Sequence, residues 1–234
     1  MIKTVLFDLD GTLLPMDQDT FTNAYFKELA KKMAPFGYNP DELVKGVWKG
    51  TGAMVRNDGT KTNEEAFWEV FLKIFGEEHK KDLDTFTEFY ENEFNKAKGV
   101  CGFNEASAEV IATLKEKDKK VVLASNPLFP MIAQKSRMNW AGLNTDDFDY
   151  ITSYENSHFC KPSKEYYVEI AELLDLNPEE CLMVGNNATE DMVAREAGMN
   201  VFLLTDCLIN DDNVDLSQFR QGGFRELKEL IDEL

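Results

Sequence analysis

Short apolar runs recur along this chain, each followed at once by a small or polar residue. Val5-Leu6-Phe7, Lys120-Val121-Val122-Leu123-Ala124, Tyr150-Ile151-Thr152, Cys181-Leu182-Met183-Val184 and Val201–Leu204 have the length and composition of buried strands. Between them, apolar residues recur three and four apart. Val110, Ile111 and Leu114 make one helical stripe within a segment from about Asn104 to Lys117. Further helices are expected over 130–140, over 163–174 with Ser163 as N-cap and Glu165 in its first turn, over 189–197 closed by Gly198, and over 224–234. Strands alternating with helices predict a parallel, doubly wound sheet of α/β, Rossmann-like class.

One interval breaks the alternation. From Asp17 to Lys98 the pattern is helical throughout, with helices expected near 17–35, 41–55, 63–75 and 82–97. Gly37-Tyr38-Asn39-Pro40, Asn57-Asp58-Gly59 and Gly76 punctuate them. Phe67, Val70, Phe71 and Ile74 line one face, and Phe86, Phe89, Tyr90 and Phe94 another, so the segment reads as a small bundle. The expected organisation is an α/β core from residues 1–16 and 99–234, interrupted by an all-helical insert over 17–98.

Charge and cysteine usage narrow the partners. The 234 residues carry a formal charge of −18, which argues against nucleic acid or an anionic membrane as a partner. No window is apolar enough to span a bilayer, and the opening MIKTVLFDLDG has the wrong order for a signal peptide, so a cytoplasmic location is expected. Cys101, Cys160, Cys181 and Cys207 form no C-x-x-C pair and read as buried or partly buried thiols. His79 and His158 are too few and too far apart to build a histidine metal site.

The chemistry concentrates where the strands end. Asp8 and Asp10 flank Leu9 directly after the first strand, and Gly11-Thr12 turns the chain away. Carboxyl ends of strands face the crevice where open α/β sheets bind ligands. Two carboxylates held this close repel, and a divalent cation is the simplest compensation. Alone, the motif also fits a solvated Asp-Gly turn. Ser125-Asn126 follows the second strand, where a hydroxyl and backbone N–H groups can cradle a phosphate or merely cap a turn. Lys161 lies in a loop before a helix, with its backbone restrained by Pro162. Asn186, Asn187, Glu190 and Asp191 follow Gly185 at the end of the fourth strand.

In order and content these positions resemble the motifs of the haloacid dehalogenase superfamily: DxD-G-T, then Ser or Thr, then Lys, then an acidic cluster. The resemblance runs from Asp8 to about Gly198, and the insert is similar to that superfamily's helical cap between the first and second motifs. It implies hydrolysis of a phosphate monoester of a small metabolite, dependent on Mg2+. Asp8 would be the nucleophile that becomes an aspartyl-phosphate. Asp10 would protonate the leaving oxygen and then activate water, while its backbone carbonyl ligates magnesium. Gly11, Thr12, Ser125, Asn126 and Lys161 would hold the phosphate.

The sequence departs from the family in its fourth motif, where Asn186 stands in the place usually held by Asp. The implied metal set is therefore Asp8, Asp10, Asn186 and Asp191, with Glu190 as a further acid nearby. Asp10 separates the chain from the dehalogenases and phosphonate hydrolases of the superfamily, which lack an acid there. A sugar-phosphate mutase shares every core motif and is the alternative activity; a hexose phosphate would be isomerised by a mutase and stripped of phosphate by a phosphatase. A non-catalytic binding protein of the same fold is a second alternative, motivated by Asn186 and Asn187. A response-regulator receiver domain fits poorly, because no insert of this size is expected there. Lys49 and Arg56 are the candidate specificity contacts contributed by the insert, in a stretch where glycines and cations cluster.

Overall fold

Each apolar run becomes a strand in the computed structural model, which describes residues 1–234. These are β1 (Thr4–Phe7), β2 (Lys120–Leu123), β3 (Tyr150–Ile151), β4 (Cys181–Gly185) and β5 (Asn200–Leu204). A sixth strand, β6 (Arg220–Gly222), was not expected: its residues are polar and mostly exposed, so it carries no apolar signature. The sheet is fully parallel, in the order β3-β2-β1-β4-β5-β6. The strand order therefore reverses at β1, and the crevice outside the carboxyl ends of β1 and its neighbours is the place where such sheets bind ligands. Phe7 pairs in register with Leu123 of β2 and Val184 of β4, so the residues just beyond these three strands arrive at one level.

Alternate strand residues serve opposite faces of the sheet. Val5, Phe7, Val121, Leu123, Leu182 and Val184 pack toward α5 (Glu105–Glu116) and α8 (Phe224–Asp232). Leu6, Val122 and Met183 pack toward α7 (Lys164–Leu173), through Tyr166, Tyr167 and Ile170. The segment over 189–197 is not a regular α-helix. It forms a 3₁₀ stretch at Met192–Ala197, because the residues ahead of it are wound around their own side chains: Asn187 Oδ1 accepts from the N–H groups of Thr189 and Glu190, and Asp191 Oδ2 from that of Asn187.

The insert contributes α1 (Gln18–Met33), α2 (Pro40–Val55), α3 (Asn63–Phe75) and α4 (Leu83–Glu91). A reciprocal capping box between Thr62 and Glu65 starts α3 where the sequence pattern places it. The helix expected over 82–97 stops early. Asn92 and Asn95 turn their amides back onto the carbonyls of Glu88 and Glu91, and the chain continues from Glu93 to Val100 as 3₁₀. The insert does not keep its apolar faces to itself. α6 (Met131–Trp140) and the loop before it bring Trp140 and Phe129 against Phe94, with ring centroids 5.0 and 6.1 Å away, and Phe129 against Tyr25 at 5.5 Å. The Trp140 indole N–H donates to Asn95 Oδ1 at 3.1 Å. One buried apolar cluster thus runs from the sheet into the helical segment.

Phe94 sits at the centre of this seam, fully buried and in contact with Phe21, Tyr25 and Phe89 of the insert as well as with Phe129 and Trp140. Phe94→Ala should therefore destabilise the whole molecule by about 3–5 kcal/mol, the usual range for emptying a buried Phe site. Urea denaturation followed by both far-UV circular dichroism and tryptophan fluorescence checks this. The two probes should shift together in one transition, and early melting of the helical signal alone would contradict a shared core.

Candidate active site

Two strand ends, one loop and one helix deliver the charged groups. β1 ends at Phe7, and Asp8 N–H continues the ladder by donating to the Val184 carbonyl at 2.9 Å. The chain then tightens, with Leu14 N–H on the Leu9 carbonyl at 2.8 Å and Gly11 at φ +87°. A Cβ on Gly11 would collide with the side-chain amide of Asn186, so this turn requires glycine for space as well as for conformation. Gly185 at the end of β4 lies equally close to the Asp191 carboxylate. Lys161 enters from the loop ahead of α7, across a cis Lys161–Pro162 peptide.

Lys161 is fully buried, and its ammonium stands between two carboxylates, 2.9 Å from Asp8 Oδ1 and 2.6 Å from Asp191 Oδ1. Burial works to lower its pKa, but the facing Asp191 and Asp8 charges outweigh it and raise the ammonium well above the ordinary lysine value. Burial, reinforced by the Asp8 charge, raises the Asp191 carboxyl against the pull of Lys161. Thr12 Oγ1 lies 3.2 Å from Asp8 Oδ2 and 3.1 Å from Asn186 Oδ1, so a single hydroxyl proton serves two acceptors. The Asn186 amide nitrogen donates to the Cys207 carbonyl at 2.6 Å, which fixes the orientation of the carboxamide.

Asp10 has its own cation, which the sequence reading did not find. Arg137 reaches in from α6, fully buried, and donates to Asp10 Oδ2 and to Gln134 Oε1, while its guanidinium lies 4.4 Å from the centroid of the Phe129 ring. The available signal was an arginine on the buried stripe of a helix, alongside Ala133, Gln134, Met138 and Trp140. A long cation in such a stripe must meet a partner inside. Burial raises the Asp10 carboxyl from its ordinary value, with Arg137 opposing and the Asp8 charge adding to the rise.

Asp8, Asp10, Ser125, Asn126, Asn186, Glu190 and Asp191 line one small polar cavity of about 40 Å³. The Ser125 carbonyl is held by the hydroxyls of Thr152 and Tyr166, each at 2.8 Å, and Asn126 donates to Glu190 Oε2 at 3.1 Å. Burial pushes Glu190 up to about 7. No three acidic, histidine or cysteine side chains converge as a ready-made metal cage. The available donors are hard oxygens, and Asp10 Oδ1 is buried with no hydrogen-bond partner. That set suits magnesium, which is commonly held by one or two carboxylates together with substrate phosphate and water. Asp191, expected among the metal ligands, has both oxygens in use, one on Lys161 and the other on Asn187 N–H at 2.8 Å. It holds Lys161, and each oxygen keeps a further lone pair that a cation could use.

Asp10 and Gln18 also line a second, larger pocket under α1, α2 and α3, walled by Phe21, Tyr25, Phe26, Val47, Phe67 and Phe129. The two cations expected to supply specificity lie elsewhere: Lys49 and Arg56 are exposed and line neither space. The four cysteines are free, two of them buried and two half-buried. His79 pairs with Asp82 and His158 with Glu169, both outside the site. No helix is long and apolar enough to cross a membrane.

Residues 2–198 match the haloacid dehalogenase-like hydrolase family. Pyrophosphatase PpaX of Bacillus cereus is 25% identical over 202 residues, 84% of this chain and 80% of that protein. Phosphoglycolate phosphatase of Aquifex aeolicus is 25% identical over 203 residues, 86% and 84% of the two chains. Among solved structures, a HAD phosphatase from Thermococcus onnurineus superposes with a TM-score of 0.63 at 20% identity over 98% of both chains. L-2-haloacid dehalogenase from Xanthobacter autotrophicus superposes with a TM-score of 0.60 at 18% identity over the full length of both. At these identities the structural likeness speaks to the fold alone.

The charge arrangement around Lys161 has a measurable consequence. Lys161→Met leaves Asp8 and Asp191 facing each other with no cation between them, which should cost about 3–5 kcal/mol of folding stability. Adding Asp191→Asn to that variant removes one of the two stranded charges and should recover part of the loss. Urea midpoints of the single and double variants decide it; no recovery in the double variant would contradict the shared-cation geometry.

Proposed function

The chain belongs to the haloacid dehalogenase-like hydrolases, as a phosphatase, and we propose that it hydrolyses phosphate monoesters of small metabolites through an aspartyl-phosphate, with magnesium as cofactor. The observation that carries this reading is the separate compensation of two neighbouring acids. Asp8 is held by Lys161 and Thr12, and Asp10 by Arg137, on the wall of one polar cavity.

Asp8 attacks the phosphorus of the ester in line, and the bond to the alcohol oxygen breaks as the bond to the Asp8 carboxylate forms. Asp10, its pKa raised by burial, gives a proton to the departing oxygen. As a carboxylate it then takes a proton from the water that hydrolyses the aspartyl-phosphate, which releases inorganic phosphate and restores Asp8. Lys161 supplies positive charge beside the transferring phosphoryl oxygens, and the side chains of Thr12, Ser125 and Asn126 offer donors around them; the Gly11 and Thr12 N–H groups, expected to join them, are taken by the Leu14 and Leu9 carbonyls. Asp8, the Asp10 backbone carbonyl and Asn186 would hold magnesium, whose charge neutralises the phosphate and lets an anionic nucleophile approach it. Asp191 keeps Lys161 in place.

Asp8→Asn should retain the fold and abolish turnover, because an amide is not a competent nucleophile. Asp10→Asn should lose roughly 10²–10⁴-fold in kcat, the span of a missing general acid–base group. Phosphate release from p-nitrophenyl phosphate by purified variants, with folding verified by circular dichroism, checks both; robust turnover by Asp8→Asn would sink the proposed route.

Asn186→Asp tests the metal assignment with two readouts. A full negative charge should lower the magnesium concentration needed for half-maximal activity. Without magnesium, the same variant should melt earlier than the wild type, since a carboxylate oxygen would then confront the Cys207 carbonyl in place of an amide donor. Titration of activity and of melting temperature against magnesium gives both numbers. An unchanged half-saturation point would remove Asn186 from the metal site.

A further inference from the structure

We propose that the alcohol half of the substrate is uncharged and apolar, about the size of one six-membered ring, and that it seats in the aromatic pocket beside Asp10. The inference rests on the phosphatase reading and names the substrate class that this reading leaves open.

The position of Asp10 sets the polarity of the two spaces. It lines the polar cavity with Asp8 and Asn186, and it lines the apolar pocket with Phe21, Tyr25 and Phe129. The group that protonates the leaving oxygen thus stands at the junction. When phosphate occupies the polar side within reach of Asp8, the carbon skeleton of the alcohol extends into the apolar side. Twelve of the sixteen residues around that pocket are hydrophobic, none is Lys, Arg or His, and Asp10 is the only charged one. Arg137 lies close by, but it is fully buried, is not part of the pocket lining, and spends its donors on Asp10, Gln134 and the Ala133 carbonyl.

The polar atoms in the wall are neutral. The hydroxyls of Tyr25 and Tyr90 lie 3.1 Å apart, and burial pushes the Tyr25 phenol up to about 12, so it stays protonated. A second phosphate or a carboxylate on the leaving group would enter this space with no cation in its lining to meet it. Pyrophosphate and phosphoglycolate, after which the two relatives are named, are anionic on that side and do not suit it. Size is the other constraint. The pocket encloses about 140 Å³, and an apolar cavity of about 150 Å³ accepts benzene. Burial of one ring is worth roughly 10–100-fold in binding.

The test measures kcat/KM of the intact protein with magnesium for benzyl phosphate, methyl phosphate, phosphoglycolate and pyrophosphate. Benzyl phosphate should exceed methyl phosphate by at least about 10-fold and both anionic substrates by about 100-fold or more. Thr51, half-buried on the pocket wall, gives a second arm: Thr51→Phe fills the space and should collapse the benzyl-to-methyl ratio by about 10-fold, a ratio that an overall loss of activity does not move. Phosphoglycolate or pyrophosphate turned over as well as benzyl phosphate would overturn the apolar class and leave the phosphatase intact. A benzyl-to-methyl ratio near unity in the wild type, or one unaltered by Thr51→Phe, would also overturn the class. No phosphate from any of the four would overturn the phosphatase reading itself, and the class with it.

Discussion

A single buried ammonium, that of Lys161, holds the site in one piece. It neutralises Asp8 at the end of β1 and Asp191 beyond β4, and its own loop lies between β3 and α7, so one charge ties together three segments far apart in sequence. Removing charges from water is expensive, and a buried ion pair is poor evidence for stability in itself. Its effect is specificity: with two carboxylates this close, any arrangement of the three loops that left Lys161 elsewhere would strand like charges inside. The close approaches at Gly11 and Gly185 follow from that constraint, since both bring backbone against side chains of the same cluster.

The second pair, Arg137 with Asp10, explains how acids one residue apart can hold different roles. If one cation served both, their protonation would be tied together. Here each acid has its own counter-charge on its own side: Lys161 and Thr12 on Asp8, Arg137 on Asp10. Asp10 is nevertheless raised, because burial and the Asp8 charge outweigh its arginine. Separate surroundings for two neighbouring acids are the usual basis for separate nucleophile and acid–base roles. The proposed chemistry therefore follows from the reach of α6 to the turn after β1, through Arg137 and Asp10, as much as from the DxD motif.

That reach was the part hidden in the sequence. Asp8, Asp10, Ser125 and Asn186 were legible because each closely follows an apolar strand, and a parallel sheet brings its strand ends to one edge whatever lies between them; Lys161, in a loop ahead of a helix, was legible only through the motif order of the resemblance. Helix α3 begins and ends where the apolar pattern places it: Gly76 marks its end in the sequence, and a Thr62–Glu65 capping box fixes its start in the structure. Arg137 was not, because its partner lies 127 residues away and nothing near it in the chain shows that a carboxylate waits inside. The polar edge strand β6 had no burial pattern to read. The helix expected over 82–97 stops at Glu91 and the one over 189–197 is 3₁₀ for one reason: Asn and Asp side chains there bond to nearby backbone and compete with the regular helix. Lys49 and Arg56 were chosen for charge, whereas the space beside Asp10 is built from rings.

Those rings carry two duties at once. Phe21, Tyr25 and Phe129 wall the pocket and also form the seam that joins the helical segment to the sheet. A change in any of them would alter the shape of the pocket and empty part of a continuous core. Thr22 and Thr51 line the same space but are half-buried and lie outside the aromatic cluster, so they can vary in size or polarity with little loss of packing. Selectivity in this architecture is therefore free to change at the threonines and held constant at the rings. The apolar character of the pocket is set by the interactions that fold the molecule, and its finer preferences by residues that folding does not need.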